Sequence, residues 1–256
     1  MARQRLGQHF LIKGSVLERI AAAAVPARQG PVIEIGPGRG ALTEKLLKRA
    51  DRVIAIEVDP YLAEHLGRKF AGEPRLEIVE ADVLQTDLGQ WGQAAITGNL
   101  PYYISSPIVE KAVRLAPPRA VFLVQKEVAQ RLAAHPGERD YGFLTVQTAV
   151  FAKARALFEV KPAAFYPPPK VDSAVVLLEP VEQKLLFDTW PFLQFVAACF
   201  RHKRKTLRNN LAGIYGCAVD EWPEAGLRAE QIPLEGFVEM FERVVNWPRM
   251  HTDAHG

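Results

Sequence analysis

The run IEIGPGRGALT, residues 33–43, sets three glycines between a stretch that reads as a strand and one that reads as a helix. Gly36, Gly38 and Gly40 let the chain turn sharply and approach a ligand closely, at a helix N-terminus whose free N–H groups point outward. The spacing Gly36-x-Gly38-x-x-Ala41 also meets the loose dinucleotide pattern, with the acidic Glu57 about twenty residues further on. By itself the loop therefore leaves a nicotinamide dehydrogenase open. A glycine-rich turn with no ligand is the plainer reading, and it is disfavoured because three glycines so close together cost backbone entropy.

Working outward, PVIEIG (31–36), RVIAIEV (52–58), RLEIVEA (75–81), AAITGN (94–99) and AVFLVQ (120–125) are short, apolar and bounded by Gly, Pro or Asp, as buried parallel strands are. Between them GALTEKLLKRA (40–50) and PYLAEHLGRKF (60–70) repeat apolar residues every three or four positions, the stripe of a helix lying on a sheet. LTVQTAVFAKARALFEV (144–160) and SAVVLLEP (173–180) read as two further strands, antiparallel at the sheet edge, flanking the loop 161–172. From Asp188 on the pattern is helical only. The expected architecture is α/β, a Rossmann-like doubly wound domain over residues 1–183, with an N-terminal arm at 1–14, followed by a small all-helical domain over 184–256 that ends in a frayed tail.

With 48% hydrophobic and 24% charged residues in 256, the chain can bury one full core and a small second one. Cys199 and Cys217 are too few for a disulfide framework and lack ligand spacing, so a reducing cytoplasm and no metal are expected. The early apolar run IAAAAV is too short to span a bilayer. A net charge of +3 is too mild to announce a nucleic-acid binder, so the distribution of charge has to decide.

Glu57 and Asp82 end the second and third strands, so both carboxylates project over the edge of the sheet where open α/β folds bind ligands. Glu57 can accept from both hydroxyls of a ribose and Asp82 from an adenine amine, a pairing that suits adenosine. Either acid alone could be a strand-end cap, and Asp59 reads as the cap of the following helix.

The fourth strand ends in Asn99-Leu100-Pro101-Tyr102 at the same edge. An adenine amine is a poor nucleophile because its lone pair is delocalised into the ring. Two acceptors at its hydrogens, the Asn99 side-chain oxygen and the Leu100 carbonyl, would favour the geometry that frees the lone pair. Pro101 removes a competing N–H and stiffens the turn, and Tyr102 can stack on the base. In isolation the same tetrapeptide reads as an ordinary turn with a core tyrosine, and its place beside the glycine loop reverses that. Ser105 and Ser106 read as caps of the next helix, since no motif supplies a His and Asp pair to activate them.

No acidic residue stands between Asp188 and Asp220, whereas Arg201, Lys203, Arg204, Lys205 and Arg208 do. On one continuous helix Arg201, Arg204, Lys205 and Arg208 would share a face, with Val196, Phe200, Leu207 and Leu211 toward a core. A solvated face usually mixes charge signs, so this one reads as a phosphate-contacting surface that positions RNA without reading its sequence, extended by Arg3 and Arg5.

The segments LGQHFL (6–11), IEIGPGRGALT, VIAIEVD (53–59), GNLPYYISSP (98–107), LVQKEVAQRL (123–132), AFYPPPKVDSAVV (164–176) and FRHKRKTLRNNL (200–211) together resemble the bacterial small-subunit rRNA adenine dimethyltransferases over nearly the whole chain. The resemblance implies S-adenosylmethionine as methyl donor and two adjacent adenosines near the 3′ end of the 16S rRNA as substrate. A monomer with the small-subunit rRNA or the pre-30S particle as partner is the accompanying expectation, although composition alone does not give the oligomeric state. The cofactor contacts it implies fall on His9, Leu11, Gly36, Glu57, Asp82 and Asn99, with Gly38 in the same loop, and the target base would lie between Tyr102 and Phe165. The chain departs from the family at His9 and Tyr103, where members commonly and often carry Asn. A large-subunit rRNA methyltransferase of the resistance type is the nearest alternative, and the C-terminal segment disfavours it. A non-catalytic RNA-binding assembly factor is the alternative of another class, and the intact Asn99 corner argues against that.

Overall fold

The structure is a computed structural model and describes residues 9–27, 29–182, 185 and 187–246. Arg3, Arg5 and the tail expected at the C-terminus lie outside the described residues. The chain divides into two compact units, Met1–Ala133 with Phe151–Glu182, and Ala134–Val150 with Gln183–Gly256.

In the first unit the apolar runs form strands β2 (Pro31–Ile35), β3 (Arg52–Glu57), β4 (Leu76–Glu80), β5 (Ala95–Asn99) and β6 (Ala120–Gln125), all parallel, joined at one edge by the antiparallel β9 (Ser173–Pro180) and β7 (Ala152–Val160). The spatial order is β4-β3-β2-β5-β6-β9-β7. Strands β2, β3 and β6 are buried almost end to end because helices cover both faces, which is why their sequences run apolar without alternation. Helix α1 (Gly14–Ala24) lays Leu17, Ile20 and Ala24 into that core, each large aliphatic side chain worth about 1.5–3 kcal/mol on full burial. Helix α2 is the short turn Thr43–Leu46, α3 spans Pro60–Lys69, α4 Ser105–Arg114 and α5 Lys126–Ala133. Asp59 caps α3 as expected, its Oδ1 accepting from Tyr61 N at 2.9 Å with Pro60 at the first position. Ser105 and Ser106, by contrast, are the first helical residues of α4 and not its cap; the Ser105 hydroxyl donates back to Tyr102 O at 3.3 Å.

One glycine in the sheet is obligatory. A Cβ on Gly98 would stand 2.4 Å from Ile35 O, so only glycine lets β5 lie against the end of β2. That close approach places the residue after it, Asn99, beside the glycine loop.

A separate two-stranded ribbon pairs β1 (Phe10–Leu11) antiparallel with β8 (Phe165–Tyr166), matching Phe10 to Tyr166 and Leu11 to Phe165. It is locked by Ile12 N donating to Ala164 O at 2.8 Å.

The second unit is helical. The expectation that residues 144–160 form one strand fails in its first half: Phe143–Ala149 is a helix, α6, and the strand begins only at Ala152. Its β-branched residues yield to tertiary packing, because Leu144, Thr145, Val146 and Thr148 are all buried while Thr145 Oγ1 takes the Gly142 N–H at 3.1 Å and closes the first turn. For the same reason Ala134–Val150 clusters with the C-terminal helices and not with the domain the sequence suggested: the buried Tyr141 donates its hydroxyl to Ile232 O at 2.7 Å. Helices α7 (Thr189–Cys199), α8 (Leu207–Tyr215) and α9 (Leu234–Asn246) complete the unit around Phe192, Phe195, Trp222 and Phe241.

Candidate active site

Strand β2 sits between β3 and β5, so the chain runs outward through β3 and β4 and then returns to the other side of β2. The carboxyl ends of β2 and β5 are the switch point at which such sheets bind ligands, and a cavity opens there. Gly36, Gly38, Glu57 and Asp82 line it from the sheet side, and His9 and Leu11 from the β1 arm. Asn99, Leu100, Pro101 and Tyr102 line it as well.

The glycine loop and its acid are built as one piece. Gly38 has φ of +57°, which favours glycine, and a Cβ there would stand 3.0 Å from the Phe10 ring, so a side chain would force that ring of the β1 arm to give way. Gly38 N donates to Glu57 Oε2 at 3.0 Å, and Asp59 N donates to Oε1 at 3.1 Å. Glu57 is 3% exposed; burial raises its pKa above the ordinary 4.5, and those N–H groups pull it back. Each oxygen keeps a lone pair for a further donor. Glu57→Ala is expected to weaken S-adenosylmethionine binding by about 1–3 kcal/mol, the scale of hydrogen bonds lost from a charged acceptor. Because the pKa is raised, affinity is expected to fall as pH drops through a range above that of an ordinary glutamate, and Glu57→Gln is expected to remove that dependence. Calorimetric titration at several pH values checks both, and unchanged affinity removes Glu57 from the site.

Asp82 lies just past the end of β4 and is exposed; its Oδ1 accepts from Leu84 N at 2.9 Å, so it serves the turn and the cavity together. Glu34 was not singled out from the sequence. It is 1% exposed, and burial, with the charge of Glu57 adding to it, pushes its carboxyl up to about 8 against the hydrogen bond from Thr43 Oγ1 at 2.6 Å. Burial thus favours the neutral form of Glu34. The signal in the sequence was an acid inside an otherwise apolar strand.

At the corner, Asn99 Nδ2 donates to His9 O at 2.9 Å. That bond fixes the amide orientation and leaves Oδ1 as an acceptor without a protein partner among the described residues. The Leu100 N–H is spent on Leu123 O at 3.0 Å and its side chain is 1% exposed, which anchors the turn while Pro101 supplies no donor of its own. Tyr102 is held at its far end, its hydroxyl 2.7 Å from Ser173 Oγ of β9, while its ring lies 5.8 Å from the His9 ring, tilted by 31°. His9 Nδ1 faces Pro167 O at 2.8 Å; a carbonyl can only accept, so this nitrogen carries the hydrogen.

Phe165 is placed differently from the expectation. The alternation of β8 turns it inward, 3% exposed and packed in the core with Leu11 and Val175, so it does not line the cavity; its neighbour Tyr166 does.

The basic residues are also arranged differently. The chain from Trp190 to Gly216 is not one helix: α7 stops at Cys199 and α8 starts at Leu207. The buried Asn210 makes the break by donating to Cys199 O at 2.8 Å and His202 O at 3.2 Å while accepting from His202 N at 3.1 Å. Thr206, extended, then caps α8. Arg201, Lys203, Arg204 and Lys205 are thus exposed on a loop, not on a helix face. Lys203 Nζ donates to Arg139 O, and Arg208, on α8, pairs with Asp220 at 2.7 Å. Arg201, Arg204 and Lys205 have no carboxylate partner among the described residues.

The family model for "Ribosomal RNA adenine dimethylase" matches residues 1–245. Among curated proteins, "Ribosomal RNA small subunit methyltransferase A" of Acidobacterium capsulatum is 40% identical over 93% of this chain and 90% of its own length. The protein of the same name from Bordetella bronchiseptica is 41% identical over 95% and 94%. Among solved structures, a dimethyladenosine transferase from Plasmodium falciparum superposes with a TM-score of 0.80 at 28% identity, covering 93% of this chain and 98% of that one. The 23S rRNA methyltransferase ErmE superposes with 0.74 at 28%, covering 92% and 99%.

Proposed function

This chain belongs to the ribosomal RNA adenine dimethylase family, and from that premise we propose that it dimethylates N6 of two adjacent adenosines near the 3′ end of the small-subunit rRNA. S-adenosylmethionine is the methyl donor, and the residues fit it: a glycine loop that leaves room for a ligand, the Glu57 carboxyl oxygens for ribose hydroxyls and Asp82 beyond it, all on one cavity. When bound, it supplies a methyl group on a positively charged sulfur.

The observation that carries the reading is the Asn99 Nδ2 bond to His9 O, because it aims the amide oxygen as an acceptor. Asn99 Oδ1 and the Leu100 carbonyl hold the two hydrogens of the adenine amine and free its lone pair for direct displacement. Tyr102, held by Ser173, stacks on the base and sets its distance. No dedicated base is needed, since the amine becomes strongly acidic once methylated. No metal takes part, because a sulfonium is already a good leaving group.

The exposed loop Arg201–Lys205 supports a role in holding RNA phosphates. The protein acts as a monomer on a precursor of the small subunit. Cys199 and Cys217, both free thiols, suit the reducing cytoplasm. No described helix is long and apolar enough to cross a membrane. The relatives at 40% and 41% identity are named for the small subunit, which favours that substrate over the large-subunit alternative. Incubation with S-adenosylmethionine and either unmethylated small subunits or large-subunit rRNA, followed by mass analysis of nuclease fragments, tests the proposal. Dimethyladenosine at neighbouring positions of the small-subunit fragment is expected; methylation of large-subunit rRNA alone overturns it.

A further inference from the structure

The lip of the cavity carries two aromatic rings that the mechanism above does not use. Tyr103 is 61% exposed and Tyr166 is 67% exposed, and both line the cavity. Neither hydroxyl has a hydrogen-bond partner and neither ring has an aromatic neighbour among the described residues, in contrast to Tyr102. Their backbones are nevertheless fixed. Tyr103 sits in a tight turn, Tyr102–Ile104, directly after Pro101. Tyr166 is the β8 partner of Phe10, and the next residue accepts from His9 Nδ1.

Residues directly opposite in an antiparallel pair point to the same face, so Tyr166 and its register partner Phe10 leave the ribbon on the same side. Over the Phe10 ring, 4.8 Å from its centre, lies the exposed guanidinium of Arg39, a cavity-lining cation without a carboxylate partner among the described residues. An unpaired cation and exposed, rigidly mounted aromatic rings lining one cavity are the combination by which proteins hold single-stranded nucleic acid, the rings taking bases and the cation a phosphate.

We propose that Tyr103 and Tyr166 form a stacking rim for a nucleobase flanking the target adenine, with Arg39 against the linking phosphate. This rests on the reading of the cavity as an adenine-methylating site. The rim gives the strand, once its target base is turned into the cavity, a replacement for the stacking it has lost.

The test separates the two subsites by fluorescence. Short single-stranded RNAs of the target sequence carry 2-aminopurine either at the target position or at the flanking position, and stacking on the protein quenches it. The wild-type protein with S-adenosylhomocysteine should quench both probes. Tyr103→Leu and Tyr166→Leu should abolish the quench at the flanking position, leave the quench at the target position in place, and weaken RNA binding by roughly tenfold each, within the range of one lost base–aromatic stack. Tyr102→Leu should do the reverse. The rim is refuted if the flanking probe is not quenched by the wild type, or if it stays quenched in both lip variants. Absence of quenching at the target position in the wild type would instead count against the adenine site itself.

Discussion

Asn99→Ala is expected to lower turnover by about a hundredfold or more, the loss seen when one oriented partner of a transition state is removed. The structure makes the expectation specific. The Asn99 side chain has two ends, and Nδ2 is committed to His9 O at 2.9 Å, so the variant loses both the acceptor and the clasp that ties the β1 arm to β5. Asn99→Asp separates the two. A carboxylate retains the acceptor but cannot donate to the His9 carbonyl, so it should lose the orientation and fall in turnover nearly as far. If Asn99→Asp keeps most of the activity while Asn99→Ala loses it, acceptance alone matters and the clasp is incidental. Single-turnover methylation with saturating S-adenosylmethionine isolates the chemical step from any weakening of cofactor affinity. Near-normal turnover in Asn99→Ala would remove the acceptor mechanism.

What could be read in advance and what could not follows from the range of the forces involved. The parallel strands and the glycine loop were legible because burial on both faces writes an uninterrupted apolar run and a turn of positive φ selects glycine, both local signatures. The Asn99 corner was legible because it closes a strand already placed. Phe165 was misplaced because its direction is set by a long-range register, Leu11 against Phe165, which a strand as short as β8 does not encode. The basic segment was read as one helix because its period allows it; the break depends on the Asn210 amide, which from sequence looks like any polar residue on a helix. Residues 144–150 carry β-branched side chains that suit a strand and became α6 through packing in the second unit. In each case the deciding partner is a tertiary contact that the local period does not encode.

The second large effect separates phosphate binding from base chemistry, and the structure changes which residues test it. Arg208 was a natural choice on a continuous helix, but it is paired with Asp220, so removing it also unmasks a carboxylate. Arg201, Arg204 and Lys205 are the clean set, exposed and without carboxylate partners among the described residues. Replacing all three by alanine should weaken RNA binding and flatten its dependence on salt by roughly 2–3 log units per log unit of salt, at about 0.7–0.9 for each phosphate no longer neutralised. Affinity for S-adenosylmethionine should not change, because that cavity is lined wholly by residues of the first unit. Tyr102→Ala should behave in the opposite way, losing about 1–3 kcal/mol of base stacking and much of the turnover with the salt slope nearly intact. Its hydroxyl bond to Ser173 also goes, at a cost of about 1 kcal/mol in stability. Tyr102→Phe keeps the ring and drops only that bond, so it should retain stacking while the alanine variant does not. Binding titrated across salt concentrations, with melting curves for each variant, checks the set. A triple variant that loses cofactor affinity, or a Tyr102→Ala protein whose salt slope falls as far as that of the triple variant, would mean that phosphate binding and base chemistry are not divided between the loop and the cavity.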